Sequence, residues 1–145
     1  MNTTTATTVT AAPTELTQAT PPSKGVTLQP VTRELIGAAY EVHRVLGFGF
    51  TGRVYQHAMQ VELQLRGLKA DIEPPIQVRF KGVAVGDYCP DLLLENHIMV
   101  EFKTDAVSRV FHNPHLLNQL RGTGIRLGFI INFGREKVDY QRMYL

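Results

Sequence analysis

Hydrophobic residues along the chain recur first at helical spacing, then at strand spacing, and then in short continuous runs. Leu35, Ala39, Val42 and Leu46 fall three or four positions apart and predict a helix from about Val31 to Leu46, which Gly47 ends. Val54, Ala58, Val61, Leu65 and Leu68 repeat the pattern and predict a second helix with these residues as its core face, closed by Gly67. After Glu73-Pro74-Pro75 the period shortens to two. Ile76 to Phe80 alternates as a half-buried strand, and Lys81-Gly82 turns it into Val83-Ala84-Val85. Two apolar runs, Asp91 to Glu95 and Ile98 to Lys103, then read as a hairpin. Asn113 and Pro114 read as the N-cap and first-turn proline of a third helix that runs to about Arg121, before Gly122. A buried strand from Leu127 to Asn132 and an edge strand around Lys137 to Met143 complete the order. Helices that flank a run of strands predict an α+β fold of the three-layer α/β type, with a mixed central sheet.

The register of the Asp91–Lys103 hairpin decides where its charges fall. A two-residue loop would place Leu92 and Leu94 on one face with Glu101. A three-residue loop, Glu95 to His97, sets Leu94 opposite Ile98, Leu92 opposite Val100 and Asp91 opposite Glu101. This register gathers Leu92, Leu94, Ile98, Val100 and Phe102 on one face. The other face carries Asp91, Leu93, Met99, Glu101 and Lys103, with the charges at one end. The second register is expected, because it separates apolar from charged groups.

Composition changes the picture mainly at the N-terminus. Residues 1–29 are rich in Thr, Ala and Pro, contain only Glu15 and Lys24 as charges and show neither period, so they read as a disordered tail before a domain spanning 30–145. The tail lacks the basic start and apolar run of a secretory signal, and no run is long enough to cross a bilayer. A single cysteine, Cys89, excludes an intramolecular disulfide and fits a reducing, cytoplasmic setting. Fifteen Lys and Arg against thirteen Asp and Glu give a net charge of +2, far from that of a strongly basic nucleic-acid binder. Arg53, Arg66, Lys69, Arg79, Lys81, Arg109, Arg121 and Arg126 form either a local stripe or scattered solvated charges. Arg53 and Arg121 are the favoured nucleic-acid contacts. A core of this size leaves room for a second copy as a homodimer partner.

The candidate chemistry lies in Pro90-Asp91 and Glu101-Phe102-Lys103. Hard carboxylate oxygens suit Mg²⁺ or Mn²⁺, and an ammonium two positions from a carboxylate projects to the same side of a strand. The same spacing also suits an ordinary surface ion pair. Two acids at the end of a buried hairpin, however, are a poor choice for stability alone.

Ordered matches widen this reading. They include Val42-His43, Leu46-Gly47, Gly49 through Tyr55, Ala58, Glu62-Leu63, Arg66-Gly67-Leu68 and Lys81-Gly82. Further on come Asp91-Leu92-Leu93, Val100-Glu101-Phe102-Lys103, Leu116-Leu117-Asn118, Leu120-Arg121, Thr123-Gly124 and Gly128 through Gly134. In these segments the chain resembles the GxxExxY family of the PD-(D/E)XK nuclease superfamily, over roughly Val31 to Arg142. The resemblance implies a restriction-endonuclease-like core, with Asp91, Glu101 and Lys103 as catalytic and metal-site residues. In the mechanism it implies, Asp91 and Glu101 hold Mg²⁺ or Mn²⁺, the Phe102 carbonyl adds a ligand and Lys103 assists water or phosphate. Two positions depart from the family. Its name-giving Glu falls on Gly52, and a Gln early in the last helix falls on His115. Glu41 is the one acid weighed as a substitute. His115 is kept as a catalytic candidate, because a neutral imidazole can orient a water or a phosphate. His43 and His57 read as packing or surface residues, and His112 and His115 are parted by the helix start at Asn113-Pro114.

The leading expectation is a metal-dependent nuclease that acts on DNA, with RNA as the other substrate. The alternatives are a nuclease-derived domain that binds nucleic acid or a protein without turnover, and a structural subunit that assembles through a sheet edge near the C-terminus.

Overall fold

A computed structural model describes residues 28–107 and 114–145. Nearly all of the expected tail, together with Arg109, His112 and the proposed cap Asn113, lies outside the described residues. The helices are α1 (Gln29–Leu46), α2 (Gly52–Leu65) and α3 (Pro114–Thr123). The strands are β1 (Ala70–Ile72), β2 (Ile76–Phe80), β3 (Val83–Tyr88), β4 (Leu92–Leu94), β5 (Ile98–Lys103), β6 (Leu127–Asn132) and β7 (Asp139–Tyr144).

Helix α1 starts at Gln29, so the expected tail is too long by one residue and the expected helix too short by two. Pro30 presets the backbone of the first turn, Thr32 Oγ1 donates to the Gln29 carbonyl at 2.9 Å, and Thr32 N–H reaches the Leu28 carbonyl at 2.9 Å. Its buried face, Leu35, Ala38, Ala39 and Val42, follows the expected stripe. The core face expected of α2 is corrected. Val54, Val61 and Leu65 are exposed, while Tyr55, Gln56, Met59 and Leu63 are buried. Both stripes have helical period, and the one with Tyr55 prevails because its ring stacks on Phe133 at 4.6 Å while its hydroxyl donates to the Gly47 carbonyl. Helix α3 runs through Gly122, past its expected end, and stops at Gly124, whose N–H bonds the Leu120 carbonyl at 2.9 Å and whose φ is +80.

The central sheet has the order β1-β4-β5-β6-β7. Its pairs are antiparallel except β5 with β6, which run parallel and are joined through α3, so the sheet is mixed as expected. The β4–β5 register is the expected one: Leu92 faces Val100, Leu93 faces Met99 and Leu94 faces Ile98. The expected run of strands divides, however. Strands β2 and β3 form a separate two-stranded ribbon, because Pro74 and Pro75 lack the N–H groups needed to prolong the β1 ladder and the chain leaves the sheet there. The ribbon packs on α3, with Ile76 clustered among Leu116, Leu120 and Ile125.

Strand alternation sorts the core into two layers. Leu92, Leu94, Ile98, Val100, Phe129 and Ile131 pack against α1 and α2, whereas Leu93, Met99 and Ile130 pack against α3 and the ribbon. Beyond β5 and β6 the chain is tied back on itself. Buried Asn132 accepts from Asp105 N–H at 3.0 Å and Gly134 N–H at 2.9 Å, and donates to the Asp105 carbonyl at 2.8 Å. Gly134 lies so close that a Cβ there would be 2.4 Å from the Thr104 carbonyl carbon.

Candidate active site

Asp91 follows buried Pro90 and immediately precedes β4, while Glu101 sits near the end of β5. The Leu92–Val100 pairing therefore brings the two acids to one end of the hairpin. Phe102 N–H donates to Asp91 Oδ2 at 2.8 Å, which fixes that carboxylate against β5. The Tyr88 hydroxyl at the end of the ribbon donates to Glu101 Oε2 at 2.5 Å.

The electrostatics follow from this packing. Burial pushes the Glu101 carboxyl up to about 8; the Tyr88 hydrogen bond opposes the rise, and the Asp91 carboxyl, close enough to hydrogen-bond, adds to it. Burial, with Glu101 next in weight, raises the Tyr88 hydroxyl well above its ordinary range, so it stays a donor. Two acids thus share one small volume, and near neutrality Glu101 retains its proton.

A cleft of about 260 Å³ opens beside Asp91, lined by Gly52, Arg53, Gln56, Glu73, Asp91 and Phe102. Gln56, buried on α2, donates from Nε2 both to the Asp91 carbonyl at 2.9 Å and to Glu73 Oε2 at 3.0 Å. Sequence reasoning missed Gln56, Glu73 and Tyr88. Glu73 directly before two prolines was the available signal for a turn, and nothing in the spacing pointed that turn at Asp91.

The other expected site residues divide. Lys103 shares the Glu101 face by alternation and is exposed at the strand end. Phe102 turns its ring the other way, 5.9 Å from Phe133, and lends its N–H to Asp91. Arg53 is exposed on the cleft wall. His115 is exposed in the first turn of α3 and Arg121 is exposed near its end. Among the described residues, no hydrogen bond joins His115 to either acid. Glu41 is not in the cleft wall; it pairs with Arg44 at 2.9 Å. The long basic stripe is not kept free either, since Arg66 bridges Glu34 and Glu62 and Lys69 meets Asp71. His43 has the packing role expected of it, with Nε2 2.7 Å from the Arg135 carbonyl.

A family model described as PD-(D/E)XK nuclease superfamily matches residues 29–143. No curated protein matches the chain. Among solved structures, an alkaline exonuclease from Laribacter hongkongensis is similar with a TM-score of 0.45 at 13% identity, over 91% of this chain and 75% of that one. The protein SSO0001 is similar with a TM-score of 0.41 at 17% identity, over 81% of this chain and 59% of that one.

Proposed function

The chain belongs to the PD-(D/E)XK nuclease superfamily, and on that premise we propose that it hydrolyses phosphodiester bonds in DNA, with RNA as the other candidate substrate. The observation that supports this most directly is the meeting of the Asp91 and Glu101 carboxyls at the end of the β4–β5 hairpin. The donor set fits Mg²⁺ or Mn²⁺. Among the described residues, no three His, Cys, Asp or Glu side chains gather into a cage. Mg²⁺ needs only one or two carboxylates, and it completes its shell with water and substrate phosphate. Two adjacent acids, one held protonated by burial and then by the other, are the arrangement that a divalent cation relieves.

In this reading Asp91 and Glu101 hold the cation, with the Phe102 carbonyl as a further oxygen. When bound, the cation polarises the phosphate and lowers the pKa of its water. Phe102 N–H keeps Asp91 aimed, and Tyr88 orients Glu101 once that carboxyl has lost its proton. Lys103, on the Glu101 face, stabilises charge developing on the phosphate. Arg53 on the cleft wall and Arg121 on α3 attract backbone phosphates, and His115 on the same helix orients a water or a phosphate. No helix among the described residues is long and apolar enough to cross a membrane.

The test is cleavage of end-labelled DNA and RNA with Mg²⁺ by the native chain, Asp91→Ala and Lys103→Ala. Loss of about a hundredfold or more in both variants is expected, as for the removal of a group that stabilises transition-state charge. Equal activity in all three would end the proposal. A second reading, a domain that binds nucleic acid without cutting it, is favoured by Gly52, where the cleft wall carries no side chain. A silent native protein that Gly52→Glu turns into a cation-dependent nuclease would establish it.

A further inference from the structure

Glu73 is the acid of the cleft that the hairpin does not explain. Its backbone sits at φ +51, in the left-handed region that favours glycine. Its N–H approaches the Asp91 carbonyl at 3.3 Å, and Gln56 reaches that same carbonyl at 2.9 Å while also holding Glu73 Oε2. The turn before Pro74 is thus fastened to Asp91 through one oxygen. Glu73 is exposed at the cleft, and an amide oxygen in its place would still accept the Gln56 hydrogen bond, more weakly, and carry no charge. Glu73 also gains no ion pair among the described residues, although Arg53 lines the same cleft. The same wall is open at Gly52, because a Cβ built there meets nothing within 4 Å. Among the described residues, the carboxylates that line this cleft are Asp91, from the strand end, and Glu73, from the turn.

Building on the reading above, we propose that Glu73 is a positioning carboxylate of the site, whose Oε1, left free by Gln56, orients water held between the cation and the cleft. An Mg²⁺-type ion with two protein carboxylates keeps several waters, and a water ordered in a pocket needs two to four polar partners. Glu73 supplies one of them on the side that Gly52 leaves unlined. Its role is to act through water rather than as a ligand, in keeping with the absence of a three-residue cage among the described residues.

The experiment is calorimetric titration of Mn²⁺ into the full chain, comparing the native protein with Asp91→Ala, Glu73→Gln and Glu73→Gln/Gly52→Glu. Glu73→Gln keeps an oxygen for Gln56, so melting should hold while Mn²⁺ affinity falls about tenfold, as for other residues that orient a metal's shell. Gly52→Glu in that background returns a carboxylate to the cleft and should recover most of the loss. Equal affinity in the native chain and Glu73→Gln overturns this inference alone, and so does a loss that the double variant does not recover. A native chain that binds no Mn²⁺, or binds it as well without Asp91, overturns the cation site itself. Should Glu73→Gln melt early, Gly52→Glu in the native chain is read instead. Tighter Mn²⁺ binding supports the inference, and unchanged binding overturns it.

Discussion

The two faces of the central sheet are built to different ends. Against α1 and α2 the sheet presents an unbroken apolar layer, with Tyr55, Phe102 and Phe133 packed ring to ring. Against α3 and the ribbon a smaller apolar cluster gives way, at one end, to Glu101 and Lys103. The first face concentrates cohesion, since burial of large side chains is the main favourable term in folding. The second accepts a crowded pair of acids, which is affordable only because the first is intact.

The largest test of this contrast is Phe133→Ala. Phe133 is fully buried and stacks on Tyr55, so its truncation should lower unfolding free energy by about 3–5 kcal/mol in chemical denaturation. Leu120→Ala in the other layer should cost about 2 kcal/mol, near the low end for such changes. The reverse ranking would break the comparison.

A second test titrates the acid pair. The Glu101 carboxyl lies at about 8 in the folded chain against an ordinary 4.5. Below 4.5 both states hold the proton and the group contributes nothing. Between 4.5 and 8 the unfolded chain releases a proton that the folded chain keeps, so stability should fall as pH rises through this window and level off above it. Glu101→Gln should flatten that slope in metal-free buffer. If melting temperatures of the native chain and the variant run parallel from pH 4.5 to 8.5, the strained-pair account is wrong.

The smallest effect is expected at Gly52. As the first residue of α2, with open space at its Cβ, it should accept Glu with a gain of about 1 kcal/mol, from better helix propensity and the favourable placement of an anion at a helix N-terminus. A destabilised variant would mean that the cleft wall is less open than it stands.

Most of the frame was legible in the sequence. Alternation with a period of two left one hairpin register that segregated its charges, and β4 and β5 adopt it. The parallel partner β6 was legible as an uninterrupted apolar run, as a strand covered on both faces must be. Strand β1 was not, because three residues, Ala70, Asp71 and Ile72, offer too short a stretch for any period. The buried face of α2 was misread because two stripes fit one helix, and only the stacking of Tyr55 on a residue far along the chain decides between them. The acids Asp91 and Glu101 were legible because they share one hairpin. Gln56, Glu73 and Tyr88 reach them from a helix, a turn and a separate ribbon, and such convergence leaves no local periodicity to read.

The near contact between Gly134 and the backbone of Thr104 and Asp105 bears on how substitutions would be tolerated along this chain. Even a methyl group at 134 would force apart the segments that follow β5 and β6, since the atoms it meets are main-chain and have nowhere to retreat. A saturation screen would therefore find position 134 intolerant, although glycine offers no side chain that could react. Intolerance there marks a shortage of room, and counting it as a sign of catalysis would enlarge the site by one residue too many.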